Sequence, residues 1–186
     1  IRDLIVTGVQ TCALPIWFEK DKDTAILRQL EKDVDGARFD TPEGKIELPV
    51  KLKVYDSIFV PLAKWAMLLA GNYRCITDDG MRTAQEAVHS NIEESRSVYN
   101  FVFDLCVKLG ADPKDLVPFE KYAAAAQSLS RPASAARALQ NGAPNIERAD
   151  KLVQLIARQK GMSNPVVDAI VARVDRRLEA NRKKQA

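Results

Sequence analysis

The chain has 186 residues, and its 28 Lys and Arg residues outnumber its 25 Asp and Glu residues to give a formal net charge of +3. Such a mild charge requires neither nucleic acid nor a membrane surface as a partner, and we expect neither. No run of about 18 apolar residues predicts a membrane-spanning helix. Three cysteines without CxxC spacing indicate free thiols in a reducing compartment, which predicts a cytoplasmic protein.

The first segment, residues 1–16, has an unusual origin. Residues 6–16, VTGVQTCALPI, resemble the in-frame translation of a sequencing adapter, and Ile1-Arg2-Asp3 resembles an upstream part of the same oligonucleotide. On this interpretation residues 1–16 are non-native, and we expect them to pack poorly. On this interpretation the natural sequence begins near Trp17, and the chain is an N-terminally truncated piece of a longer protein.

Residues 17–55 predict a short α/β remnant. Apolar residues at helical spacing predict a helix over 23–32 that ends near Gly36. Apolar and polar residues then alternate over 45–54, which predicts a strand with one solvent-exposed face. Pro49 has no N–H to donate to a neighbouring strand, so we expect this strand at the edge of its sheet. Turn residues over 41–44 favour a hairpin with 37–40.

Residues 56–182 predict an all-α helical domain, because proline-marked helix starts follow one another to the end of the chain. The predicted helices are a central buried one over 57–76, a long one from Asp78 or Asp79 to Leu109, and others over 112–126, 130–142, 143–161 and from 164 onward.

Lys64 stands out because it lies in an otherwise apolar helix, where an ammonium group is costly unless it is paired or at a pocket edge. Asn72, eight residues later, can face the same side of the helix. Such a lysine can act as a proton donor. The alternative is a lysine whose ammonium group extends from an apolar helix into water.

Ser134 and Glu147 form a second candidate group. Ser134 lies at a helix start between Arg131 and Arg137, where backbone N–H groups and guanidinium groups could hold a carboxylate. Glu147 is predicted to open the next helix, where the helix dipole favours a carboxylate in any case. The alternative is a helix-start serine with two surface arginines.

Other kinds of site find little support in the sequence. His89 is the one histidine and has no histidine or cysteine partner at helical spacing, so we interpret it as a helix-surface residue and expect no metal site. The glycines form no phosphate-binding loop. The basic residues over 173–184 are interrupted by acidic ones, which favours a solvated final helix over a polyanion site.

The order Lys64, Asn72, Ser134 and Glu147 in an all-helical segment resembles the C-terminal domain of ketopantoate reductase (2-dehydropantoate 2-reductase), over about residues 56–178. The resemblance implies an all-α fold like the C-terminal domain of 6-phosphogluconate dehydrogenase, and an NADPH-dependent reductase of the pantothenate pathway. It implies that Lys64 donates a proton to the substrate ketone and that Asn72 and Ser134 bind substrate. Glu147 would lie near Lys64 and the cofactor ribose. The Rossmann loop that binds NADPH in this family is absent from the sequence.

The chain also departs from the family pattern. Leu68 occupies a position four residues after the lysine where the family commonly has asparagine, and Trp65 follows the lysine instead of preceding it by two. A related reductase of another 2-oxo acid therefore stays open, and so does a non-catalytic helical interaction module. We expect the chain alone to be inactive, and a homodimer is one assembly it could form.

Overall fold

The computed structural model of the chain describes residues 12–13, 21–47, 50, 52–55 and 57–185. They belong to two compact units, Ile1–Pro61 and Leu62–Ala186. We call the second the helical unit. The described elements up to the point of division are β1 (Cys12–Ala13), α1 (Asp21–Gly36), β2 (Arg38–Thr41), β3 (Gly44–Glu47), β4 (Leu52–Lys53) and the short α2 (Phe59–Leu62).

The first unit confirms the predicted helix and hairpin. β2 and β3 pair antiparallel, and the turn between them closes at Gly44, whose φ of 121° favours glycine. The predicted buried face is absent from β3, because all four of its residues are exposed, whereas Leu52 and Val54 of the same predicted strand are half-buried. Pro49 lies outside the described residues.

The segment interpreted as adapter is described only at Cys12 and Ala13. These two residues pair in parallel with Leu52 and Lys53. The pairing concerns the backbone alone, so poor packing of this segment stays a prediction. Residues 1–11 and 14–16 lie outside the described part of the chain.

The helical unit confirms the prediction of a mostly helical domain. Its elements are α3 (Lys64–Met67), a π-helical segment (Leu68–Asn72), a 3-10 turn (Tyr73–Cys75), α4 (Ala84–His89), α5 (Ile92–Lys108), a second 3-10 turn (Pro113–Asp115), α6 (Phe119–Ala126), α7 (Ser134–Gln140), α8 (Ala149–Gln159) and α9 (Pro165–Gln185).

Two predicted helices are divided in the structure. The region over 57–76 is a succession of α, π and 3-10 segments, and the region over 78–109 is broken between α4 and α5. Thr83 caps α4 in a capping box with Glu86, and the Asn91 side chain caps α5. The predicted aspartate cap is therefore wrong.

Two further starts differ from the prediction. Asp112 caps only the 3-10 turn at Pro113, and α6 begins separately at Phe119. α8 begins at Ala149, so Glu147 precedes that helix instead of opening it. The last predicted start is confirmed, because the Asn164 side chain accepts the N–H groups of the first turn of α9.

The core of the helical unit is built around the π-helical segment, which contacts α3, α4, α5, α7 and α8. Its Leu69, Ala70 and Gly71 are buried. Beside it, Tyr99 stacks on Tyr122 with ring centroids 5.4 Å apart. This aromatic packing places a phenol directly against the backbone of the segment that carries Asn72.

The cysteines of this core give a chemical test of the packing. Cys75 and Cys106 are buried and unpaired, and burial raises the pKa of Cys106 to about 11 and also raises that of Cys75. Because the thiolate is the reactive form, we expect a thiol reagent to label neither cysteine of folded Cys12→Ser protein within minutes near neutral pH. Both should react in denaturant. Fast labelling of either thiol in the folded protein would contradict this packing.

Candidate functional site

Three of the four predicted site residues line one cavity. The cavity has a volume of about 270 Å³ and lies within the helical unit. Its polar lining includes Asn72, Ser134 and Glu147, which are not neighbours in the sequence. The other lining residues are Leu68, Tyr73, Ala135, Ala138, Asn145 and Ile146. A small cavity with apolar walls and a few polar groups is typical of a small-molecule site.

Each polar residue comes from a different part of the fold. Asn72 ends the π-helical segment, Ser134 is the first residue of α7, and Glu147 lies in the link between α7 and α8. π-helical turns are rare and are frequent at functional sites. The cavity therefore depends on how this link is held against the π-helical segment.

Tyr73 holds the link in place. Its hydroxyl donates to the carbonyl oxygen of Glu147 at 2.6 Å and accepts the N–H of Ala149 at 2.9 Å. Burial raises the pKa of Tyr73 to about 12, so the hydroxyl keeps the proton that it donates. Because Tyr73 directly follows Asn72, one tyrosine fixes the position of Glu147 relative to that amide.

Arg148 fixes the same link from its other side. Its guanidinium group makes two parallel bonds to the fully buried carboxylate of Asp150, at 2.9 and 3.0 Å. It also donates to Asp175 of α9. Paired bonds of this kind fix orientation as well as distance, so the backbone on both sides of Arg148 is anchored.

Lys64 is the one predicted site residue that does not line the cavity. It is exposed, and its ammonium group makes no hydrogen bond or ion pair with the described residues. Leu68 and Asn72, one and two turns later, do line it. Eight residues of ideal α-helix leave an angular offset of about 80°.

The structure also shows site residues that the sequence prediction missed. Tyr73 and Asn145 line the cavity, and Arg182 donates to the amide oxygen of Asn145 at 3.0 Å. A tyrosine in a buried run needs a partner for its hydroxyl, and this was the available signal for Tyr73. By contrast, the expected Arg131 and Arg137 are exposed and do not line the cavity.

The other candidate features have structural partners. His89 is half-buried, with Nε2 3.0 Å from the carbonyl oxygen of Ala123. Among the described residues, no group of His, Cys, Asp and Glu side chains could hold a metal ion. Several basic residues of α9 bind back to the domain instead of facing only solvent, as the bonds of Arg176 to Asp78 and of Arg177 to the Thr77 carbonyl show.

The chain was compared with protein-family models, with curated proteins and with solved structures. None of these comparisons found a match. In the described part of the chain, no helix has the length and apolar character needed to cross a membrane.

Proposed function

We propose that the helical unit is the substrate-binding domain of an NADPH-dependent 2-oxo acid reductase, with 2-dehydropantoate as the first candidate substrate. The observation that carries the proposal is the convergence of Asn72, Ser134 and Glu147 on one cavity. The sequence order of these residues resembles the ketopantoate reductase family, and the mostly helical fold is compatible with the family's domain, which resembles the C-terminal domain of 6-phosphogluconate dehydrogenase.

The proposed roles follow the chemistry of each group. The amide of Asn72 and the hydroxyl of Ser134 offer donors for the carboxylate and hydroxyl oxygens of a 2-oxo acid. Lys64 is the proposed donor of a proton to the ketone oxygen, and its positive charge would stabilise the developing alkoxide. By the family resemblance, Glu147 would lie near Lys64 and the cofactor ribose.

The described residues form no phosphate-binding loop for NADPH. Gly36, Gly44 and Gly71 are isolated, and no glycine-rich loop joins a strand to a helix among the described elements. In the proposal the hydride comes from NADPH bound to a nucleotide-binding domain that is not part of this sequence. We therefore expect no turnover by this chain alone. We also propose a cytoplasmic location, because free cysteines such as the buried Cys75 and Cys106 are typical of a reducing compartment.

Ligand binding tests the proposal directly. Titration of the full chain with 2-dehydropantoate, followed by calorimetry or NMR, should give a Kd of about 1 mM, as expected for a small ligand held by half a site. Asn72→Ala should weaken binding about fivefold to tenfold, the value of one hydrogen bond. Asn100→Ala is the matched control, because Asn100 is exposed on α5 and does not line the cavity.

The outcomes separate the candidate functions. Tighter binding of 2-oxoisovalerate than of 2-dehydropantoate would favour a related reductase with another substrate. If folded protein binds no 2-oxo acid, or if Asn100→Ala weakens binding as much as Asn72→Ala, the reductase proposal fails. A non-catalytic interaction module is then the better candidate, and the half-exposed Leu152 and Leu155 of α8 favour it.

A further inference from the structure

A second cavity, of about 300 Å³, lies elsewhere in the helical unit and shares no residue with the first. One part of its wall is charged and is made by Arg74, Arg82, Glu94 and Arg173. The other part is apolar and comes from the first turns of α9. These apolar residues are Pro165, Val166, Ala169 and Ile170.

The charges of this wall do not balance. Three guanidinium groups face one carboxylate, which leaves two positive charges. Two carboxylates outside the lining also act on these arginines: Asp78 pairs with Arg173 and is shared with Arg176, and Glu86 lies near Arg82. A ligand that carries two negative charges would neutralise the wall.

Arg74 makes the imbalance costly because its side chain is almost fully buried. It donates to Glu94 and to the hydroxyl of Ser95. Burial lowers the pKa of Arg74, Glu94 opposes that change, and the positive charge of Arg82 adds to it. A second anion beside this guanidinium group would therefore stabilise its charged form.

Two arginines have donors left for such an anion. Arg82 uses Nε for the Arg74 carbonyl at 2.9 Å and Nη1 for the Ser90 hydroxyl at 3.1 Å, which leaves Nη2. Arg173 uses only Nε, at 3.3 Å from Asp78. Both Nη groups of Arg173 make no hydrogen bond with the residues that the structure describes. Three guanidinium nitrogens thus remain for ligand oxygens.

We propose that this cavity binds a small organic phosphate monoester. A phosphate monoester carries about two negative charges at pH 7, which matches the two positive charges of the wall, whereas a carboxylate would neutralise only one. Guanidinium groups bind phosphate oxygens in paired bonds. The apolar residues at the start of α9 would cover the organic group.

Titration of the full chain with n-butyl phosphate, inorganic phosphate and hexanoate tests the proposal by calorimetry or NMR. We expect n-butyl phosphate to bind at least about fivefold more tightly than either other probe, because only it has both the dianion and the apolar chain. Binding should weaken at pH 5, where the monoester is mostly the monoanion, because its second pKa is about 6.

A pair of variants locates the binding. Arg173→Gln should weaken n-butyl phosphate binding about tenfold, as for the loss of a charged hydrogen bond. Arg176→Gln is the matched control. Arg176 lies on the same helix as Arg173 and also pairs with Asp78, but it does not line the cavity. It should change binding less than about twofold.

Three results would overturn the proposal. The first is that Arg173→Gln and Arg176→Gln weaken n-butyl phosphate binding equally. The second is that inorganic phosphate and n-butyl phosphate bind with equal affinity. The third is that n-butyl phosphate does not bind to protein that circular dichroism shows to be folded. Asn72→Ala should leave phosphate binding unchanged, so the failure of this site and the failure of the 2-oxo acid site are distinguishable.

Discussion

Replacing Gly71 with alanine should destabilise the helical unit by about 3 kcal/mol, because overpacking of a dense core forces neighbouring groups to move. A Cβ atom at Gly71 would lie 1.9 Å from Oη and 3.2 Å from Cζ of Tyr122. Tyr122 is buried and its hydroxyl donates to the Met67 carbonyl at 3.2 Å, so the ring is not a flexible surface group. The free energy of unfolding, measured by denaturant titration, gives the magnitude.

Two further variants show whether this overlap is the cause. Tyr122→Phe removes the hydroxyl and should itself cost about 1 kcal/mol through the lost hydrogen bond. In that background Gly71→Ala should cost at least about 1 kcal/mol less than in the wild type. Gly80→Ala is the control, since the nearest atom to its Cβ is Thr77 Oγ1 at 3.7 Å, and it should change stability by no more than about 0.5 kcal/mol. An equal cost of Gly71→Ala in both tyrosine backgrounds would contradict the steric explanation.

This glycine shows what the sequence could and could not predict about the site. In the sequence, Gly71 is an isolated glycine with no role in a phosphate loop. In the structure, it is the point at which Tyr122 approaches the π-helical segment that carries Asn72. The need for glycine comes from a residue 51 positions later in the chain. No local pattern contains that information.

The fold was predictable where local chemistry decides it. Asn164 caps α9 as predicted, and Gly142 and Gly161 follow α7 and α8 with positive φ. These features depend on a few neighbouring residues. The burial predicted from the alternating pattern is absent in β3, where apolar residues such as Ile46 are exposed. A pattern of apolar residues does not show which other part of the chain covers them.

The division between α4 and α5 was missed for a different reason. Apolar spacing continues across Ser90 and Asn91, so periodicity predicts one helix there. The break is made by the side chain of Asn91, which accepts the N–H of Glu94 and starts a new helix. A side-chain cap of this kind competes with continuation of the helix, and the periodicity of apolar residues does not show which of the two structures forms.

The convergence of Asn72, Ser134 and Glu147 could be proposed from the sequence only through the family resemblance. Their separations in the chain exceed any helical spacing, so their proximity depends on how α7 and the following link pack on the π-helical segment. Tyr73 and Arg148, which fix that link, have no recognisable motif. Their effect is visible only in the hydrogen bonds that they make.

Replacing Arg148 with alanine should destabilise the helical unit by about 3 kcal/mol, because it leaves the Asp150 carboxylate buried without its partner. The Asp150 side chain is 0% exposed and receives both parallel bonds from Arg148. Removing one member of such a pair costs more than removing both. The double variant Arg148→Ala/Asp150→Ala should therefore be more stable than Arg148→Ala alone.

A surface pair in the same network provides the control. Lys151 binds Asp175 at 2.8 Å, with side chains 44% and 40% exposed, so Lys151→Ala should cost less than about 1 kcal/mol. If Arg148→Ala costs no more than Lys151→Ala, or if the double variant is the least stable, the buried pair does not stabilise the link.

Arg148 also separates Glu147 from Ala149, the two residues that Tyr73 binds. We therefore expect Arg148→Ala to weaken 2-oxo acid binding even at temperatures where the variant is fully folded, because one hydroxyl alone must then hold Glu147 at the cavity.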